Sequence, residues 1–274
     1  MASHVREPAV AGRFYPAEPG ILRAEVRSHL AGNSLAEDLK RKALGCIAPH
    51  AGYMYSGAVA GAVYAHLDVP QRCVVLCPNH TGLGHPLAIM SEGSWNTPLG
   101  AVSIDSGLAV EIKTSFPDLS EDAESQRQEH GIEVQLPFLK IQQPSLSFVP
   151  ITLGTGRLEV LEGLGRTLAG VIKKHQERIL VIASSDMNHY ENDSITRVKD
   201  HKAIEKILEL DARGLFDVIK NEKISMCGFG PAIVMLTAAK FLGARRAELV
   251  RYATSGDVSG DLEIVVGYAG VAVW

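Results

Sequence analysis

The residues of this sequence best suited to chemistry stand at the ends of apolar runs. Ala48-Pro49-His50 closes one run that begins at Ala43, and Pro78-Asn79-His80 closes another that begins at Cys73. Neutral imidazole is the commonest biological metal ligand. Two imidazoles delivered to one rim of a sheet are within reach of one ion; the alternative is two independent loop histidines making hydrogen bonds. A third run, Ile179 to Ala183, ends in Ser184-Ser185-Asp186-Met187-Asn188-His189. There Asp186 is a ligand, an orienter of a ligand or an Asx turn, and His189 is a general acid/base or an exposed side chain.

Two further groups carry chemistry. Cys227 precedes Gly228-Phe229-Gly230-Pro231, and proline suits the first position of a helix. A thiol at a helix N-terminus is expected to have a lowered pKa, which would make Cys227 a third ligand or a nucleophile; the alternative is a small residue packed in a glycine-rich loop. Glu129-His130 with Glu133 places polar groups on one helical face, either serving a metal or forming a solvated surface. The order is not HExxH, which excludes the zinc-peptidase pattern. Gly82-Leu83-Gly84 opens no helix, so it is no dinucleotide fingerprint, and no P-loop or serine nucleophile elbow is present.

The elements that must position these residues are legible in outline. Strand 43–48, helix 56–67 and strand 72–77 form a βαβ unit, which implies parallel strands. The spacing predicts adjacent strands with His50 and His80 beyond their carboxyl ends, where open α/β sheets bind ligands. Residues 6–20 form an irregular arm pinned by Phe14 and Tyr15, followed by a helix over 21–31 and a charged connector over 37–42. Short strands are predicted at 87–91 and 102–104, a turn at 95–99, a helix over 106–115 and a polar surface segment at 120–128. Glu129 to Lys140 reads as one helix with Ile132, Leu136 and Leu139 on one face and Glu129, Glu133 and Lys140 on another. Strand 147–153, helix 157–175, helices over 195–221, helix 231–242 and closing strands at 246–254 and 263–273, linked by a hairpin-like 256–261, complete the chain. The fold class is therefore α/β: a single domain, 1–274, with a central mixed, largely parallel sheet flanked by helices.

Composition bounds the function. With 274 residues, 46% hydrophobic and 21% charged, the chain has the profile of a globular protein that needs no disulfide framework to fold. A net charge of −4 with interspersed signs gives no support for a nucleic-acid or anionic-membrane partner. No apolar run approaches the roughly 18 to 20 residues of a membrane span, and the first residues lack a signal peptide's apolar region. Three of the four cysteines (Cys46, Cys73, Cys77) lie in or beside apolar strands, as buried thiols of a reducing cytoplasm would.

Taken together, Ala48-Pro49-His50-Ala51-Gly52-Tyr53, Tyr55-Ser56-Gly57, Pro78-Asn79-His80, Glu129-His130-Gly131-Ile132-Glu133-Val134-Gln135-Leu136-Pro137, Ser184-Ser185-Asp186-Met187-Asn188-His189 and Cys227-Gly228-Phe229-Gly230-Pro231 resemble the Memo family. Its prokaryotic members are called AmmeMemoRadiSam system protein B. The resemblance covers the chain from about Arg6 to its end. The family is similar in fold to class III extradiol dioxygenases, non-heme Fe(II) enzymes that use two histidines and a glutamate. By resemblance His50 and His80 are the two histidine ligands and Cys227 takes the third position, a thiolate in place of a carboxylate. Asp186 and His189 match the family's cleft residues, with His189 a proton donor or acceptor, and Glu129, His130 and Glu133 stand beside the ligands or in the cleft wall. The implied cofactor is Fe(II) first, with Cu(I) or Zn as alternatives favoured by the softer sulfur. The implied function is a redox or O2-dependent oxidoreductase of unknown substrate. The alternatives are a metal-handling protein without turnover, or a peptide- or ligand-binding module using the same cleft. The prokaryotic name further implies a functional link to AMMECR-type and radical-SAM proteins.

Overall fold

The computed structural model describes residues 4–32 and 40–274. Residues 37–39 of the charged connector expected over 37–42 fall outside the described residues. In chain order the elements are β1 (Val5–Arg6), α1 (Pro19–Ala31), β2 (Gly45–Ala48), α2 (Tyr53–His66), β3 (Arg72–Pro78), β4 (Leu87–Ile89), β5 (Ser94–Trp95), β6 (Val102–Ile104), α3 (Ser106–Ser115), β7 (Ser120–Glu121), α4 (Glu124–Arg127), α5 (His130–Glu133), α6 (Leu136–Gln142), β8 (Ser147–Leu153), α7 (Leu158–Ile172), β9 (Ile179–Ser184), β10 (His189–Glu191), α8 (Asp193–Leu208), α9 (Ala212–Asn221), α10 (Phe229–Leu242), β11 (Ala247–Thr254), α11 (Gly256–Ser259) and β12 (Val265–Val273).

One mixed sheet runs in the order β1-β5-β6-β8-β3-β9-β2-β12-β10, with β11 beside β12 and β4 beside β8. Its centre, from β6 through β8, β3 and β9 to β2, is parallel, and β12 closes it antiparallel to β2. The central strands are buried along nearly their whole length, as strands covered by helices on both faces must be. Successive side chains of a strand point to opposite faces. Gly45 accordingly lies against Met235 of α10, while Cys46 lies near Tyr64 of α2. Helices α7 and α10 pack together on one side; α2 crosses β2, β11 and β12 on the other, backed by α1 and α6. Among the described residues no helix is long and apolar enough to cross a membrane.

Several expectations are corrected. β2 and β3 are not neighbours: β9 lies between them, paired to each. The crossover helix α2 therefore spans two strand spacings, and a strand more than a hundred residues downstream fills the gap. Glu129 to Lys140 is not one helix. It forms two short ones, α5 and α6, and its Glu129 and Glu133 are fully buried rather than on a solvated face. Residues 120–128 contain buried Ser125 and Gln126, because Gln126 donates to the carbonyl of Pro150 (3.2 Å) and the hydroxyls of Ser125 and Thr152 are paired (3.1 Å). Trp95, expected in a turn, is a fully buried strand residue beneath Arg6, whose guanidinium lies 4.2 Å from the ring. The helix expected from Pro231 begins two residues earlier, at Phe229, and the hairpin-like link contains the single turn α11.

Candidate functional site

Each strand end contributes one side chain to a common cleft. Pro49 follows β2 and delivers His50, which is 2% exposed. β3 ends at Pro78 and places His80 two residues on. The ring centroids of His50 and His80 are 5.0 Å apart. α5 adds His130, with centroids 5.3 Å from His50 and 4.6 Å from His80. A nitrogen from each of the three rings lies within 4.8 Å of the others, a grouping that could hold a metal ion. His130 was read from the sequence only as a neighbour of the ligands; the structure makes it an equal member of the imidazole cluster.

The surroundings fix how these rings are protonated. The Ser184 hydroxyl donates its hydrogen to the Gly131 carbonyl (2.5 Å) and accepts from the Gln135 amide (2.8 Å). Its contact with His50 Nδ1 at 2.9 Å therefore needs Nδ1 to be the donor. That leaves the Nε2 lone pair of His50 facing the cleft. Glu129 does the same for His80: its carboxylate accepts from His80 Nδ1 (2.8 Å), from the His80 amide (2.7 Å) and from the Gly131 amide (2.8 Å). A carboxylate or hydroxyl behind Nδ1 is how proteins orient metal-binding histidines. The roles of Ser184 and Gln135 escaped the sequence reading; the hydroxyl pair Ser184-Ser185 directly before Asp186 was the available signal.

Electrostatics keep His50 and His130 neutral and Glu129 charged. Burial, reinforced by the nearby His80, lowers His50 from 6.5 to about 3. Burial and then His50 lower His130 to about 4. Burial works to raise Glu129, but the hydrogen bond and charge of His80, together with His130, outweigh it and bring the carboxyl down to about 2. At neutral pH the site thus combines unprotonated imidazoles at His50 and His130 with an ionised Glu129 carboxylate.

Asp186 follows β9 and is buried, accepting from the His50 amide at 2.7 Å. Its side chain fixes the His50 backbone rather than a ring. Burial raises its pKa against that hydrogen bond. His189 stands at the rim, its Nδ1 donating to the Ser225 carbonyl (2.9 Å) and its amide to the Ser225 hydroxyl (2.7 Å). The Asn188 side-chain oxygen accepts from the Ser225 amide and hydroxyl (3.0 and 3.1 Å), so this loop is latched to the segment that carries Cys227.

Cys227 Sγ lies 3.2 Å from His50 Nε2. It is partly exposed, unlike the other three cysteines. The lowered pKa expected for this thiol is not found. Burial first, and the neighbouring Asp186 charge second, push it up, which outweighs the helix end. The thiol hydrogen is then available to the His50 Nε2 lone pair. Cys227 lies outside the three-imidazole group and meets it at His50.

Glu133 serves the arm instead of the rings. Its carboxylate pairs with Arg6, accepts from the amides of Ala9 (2.8 Å) and Val10 (3.0 Å) and accepts the Tyr15 hydroxyl hydrogen (2.7 Å). This holds Phe14 against His130, 4.8 Å between ring centroids. Tyr15 is buried as expected.

Comparison with known proteins agrees with this construction. A family model described as Memo-like protein matches residues 6–272. A MEMO1 family protein of Methanosarcina barkeri is 43% identical over 98% of this chain and 100% of its own length. Another, of Methanopyrus kandleri, is 42% identical over 97% of this chain and 98% of its own. A third, of Pyrobaculum aerophilum, is 43% identical over 97% and 98% respectively. A match that runs almost from end to end, with relatives of the same length at this identity, admits one conclusion: the chain belongs to the Memo family.

Proposed function

We propose that the protein binds one transition-metal ion through His50 and His80, with His130 or Cys227 completing the set, and uses it as a redox or O2-dependent oxidoreductase. The observation that carries this reading is the pair of Nε2 lone pairs turned to the cleft by Ser184 and Glu129. The donor set fits such an ion: three imidazole nitrogens lie within 4.8 Å of one another, and two of them, His50 and His130, are held below their ordinary pKa and offer lone pairs at neutral pH without competing protons. Fe(II) is the first choice for imidazoles beside a carboxylate, and Cu(I) or Zn is favoured if the Cys227 sulfur takes part. Once bound, the ion would supply electron transfer or Lewis acidity. The protein's own part is to exclude water with Phe14 and α5, and to offer His189 at the rim for proton transfer.

A second reading, metal handling without turnover, is favoured by the Cys227 sulfur 3.2 Å from His50 Nε2. The family resemblance alone adds a functional link to AMMECR-type and radical-SAM proteins, and the buried free thiols Cys46, Cys73 and Cys77 support a reducing, cytoplasmic setting.

Elemental analysis of anaerobically purified protein, before and after Fe(II) reconstitution, tests the reading. About one metal ion per chain that is lost in His50→Ala with His80→Ala supports it. O2 uptake with an aromatic diol then favours the oxidoreductase, and tight Cu(I) or Zn binding without uptake favours handling. Equal metal binding by the double variant overturns the site, and no metal under any condition leaves the cleft as a ligand-binding surface.

A further inference from the structure

Beside the imidazole cluster an open pocket of about 470 Å³ lies between the end of α9 and the start of α10, and Cys227 forms part of its wall. Two lysines, Lys220 and Lys223, line it; none of its lining residues is acidic. Neither lysine has a carboxylate partner among the described residues. Lys220 Nζ instead sits 5.2 Å from the Phe229 ring centroid and 5.6 Å from that of Phe216, an arrangement that directs an ammonium without neutralising it. Lys223 stands just past α9 at φ +52, where the Ile224 amide donates to the Ile219 carbonyl at 3.0 Å. This left-handed position favours glycine, yet a cation occupies it.

Two acids near the pocket are already engaged. Glu222 is engaged by Lys202 at 2.9 Å, and Asp186 accepts from the His50 amide. The N-terminus of α10, which begins at Phe229 with no side-chain cap, adds the positive end of a helix dipole. Apart from Ser225, the remaining walls, Ile219, Ile224 and Met226 with the Phe229 ring, are apolar.

We propose that this pocket is the subsite for an anionic group carried on an apolar body, and that it docks such a molecule with its neighbouring atoms at Cys227 and the imidazole cluster. The proposal rests on the reading of that cluster as the reacting centre and deepens it by naming a substrate class: an organic acid whose carboxylate, or phosphate, meets Lys220 and Lys223. The two ammonium groups act together, and the apolar walls select the body that bears the charge.

Cys227 supplies the measurement, because the other three thiols are buried. Its alkylation by iodoacetate, an anion, is compared with that by neutral iodoacetamide. The comparison is made in chelator-treated protein, so that metal content plays no part. The ratio of the two rates cancels the thiolate fraction. It is expected to fall about tenfold in the Lys220→Gln, Lys223→Gln double variant, with an unchanged circular dichroism spectrum as the sign of an intact fold. Benzoate at millimolar concentration is expected to protect Cys227 in the unaltered protein and not in the variant, with benzamide inert. Protection by inorganic phosphate as strong as that by benzoate assigns the subsite to the anion alone; stronger protection by benzoate assigns it to the whole amphipathic acid. A rate ratio untouched by the two substitutions, or no protection by either anion, overturns the proposal. Loss of the metal reading leaves this chelator-treated measurement unaffected, so the two failures are distinct.

Discussion

At the scale of single residues, the cleft works through who holds each proton. Ser184 and Glu129 each take an Nδ1 hydrogen, so one buried hydroxyl and one buried carboxylate decide which nitrogens face the cleft. Glu129→Gln retains the shape but loses the charge behind His80. Metal affinity is expected to fall about 10- to 100-fold, read by competition with a chromogenic chelator. Protons provide a second test, on metal-free protein. His130 folds with its pKa lowered from 6.5 to about 4. Between those pH values the unfolded chain binds a proton that the folded chain refuses. Stability from this residue is therefore complete above pH 6.5 and is lost as pH falls toward 4, about 2 kcal/mol by pH 5. Asp200 acts oppositely: burial raises it to about 6, so its contribution is complete below its ordinary value and lost as pH rises through 6. Urea unfolding at pH 7 and pH 5 should show a smaller difference for His130→Gln than for the unaltered protein. An equal difference would remove His130 from the buried cluster.

At the scale of elements, short segments do most of the positioning. The arm is held to α5 by Arg6, Tyr15 and Glu133. Glu133→Ala leaves a guanidinium that is 4% exposed without its carboxylate. Such a loss costs about 3 to 5 kcal/mol, and should make the arm a site of early proteolysis and free Phe14 from His130. Limited proteolysis with mass mapping and urea melts would measure both. Two glycines set the approach of loop to sheet. A Cβ on Gly131 would lie 2.8 Å from Cys77 Cβ, and one on Gly228 would lie 2.5 Å from the Ser184 carbonyl oxygen. Gly228→Ala must therefore push the Cys227 loop off β9. We expect alkylation of Cys227 to accelerate in that variant, with metal affinity falling if the sulfur is a ligand. Unchanged alkylation would mean that the loop yields without moving the thiol.

At the scale of the whole molecule, the cluster is assembled from residues 50, 80 and 130, with its supports from residues 129, 184 and 186. A folded chain alone brings these together, so a ligand of the site stabilises the fold by mass action, about 2.7 kcal/mol at a hundredfold excess over Kd. Thermal unfolding should shift upward with Fe(II) or Zn, and the shift should vanish in His50→Ala with His80→Ala. The sequence by itself determined the fold class and most elements. Apolar runs ending in proline marked β2 and β3, helical spacing marked α7 and α10, and the strand bounds of β8 matched those of the structure, because these signals are local and the hydrophobic period writes them directly into the chain. Through five short motifs in order it also singled out His50 and His80, whose rings stand 5.0 Å apart, and Cys227, whose sulfur lies 3.2 Å from His50. The tertiary structure alone decided the rest. β9 enters between β2 and β3, and strand order is a pairing across long loops that no local pattern encodes. Glu129 and Glu133, polar on a helical face, turned inward because a strand-end histidine and an arm arginine wait there. His130 joined His50 and His80, and the Cys227 thiol rose in pKa instead of falling. In both cases burial against distant residues outweighed what the neighbours in sequence implied.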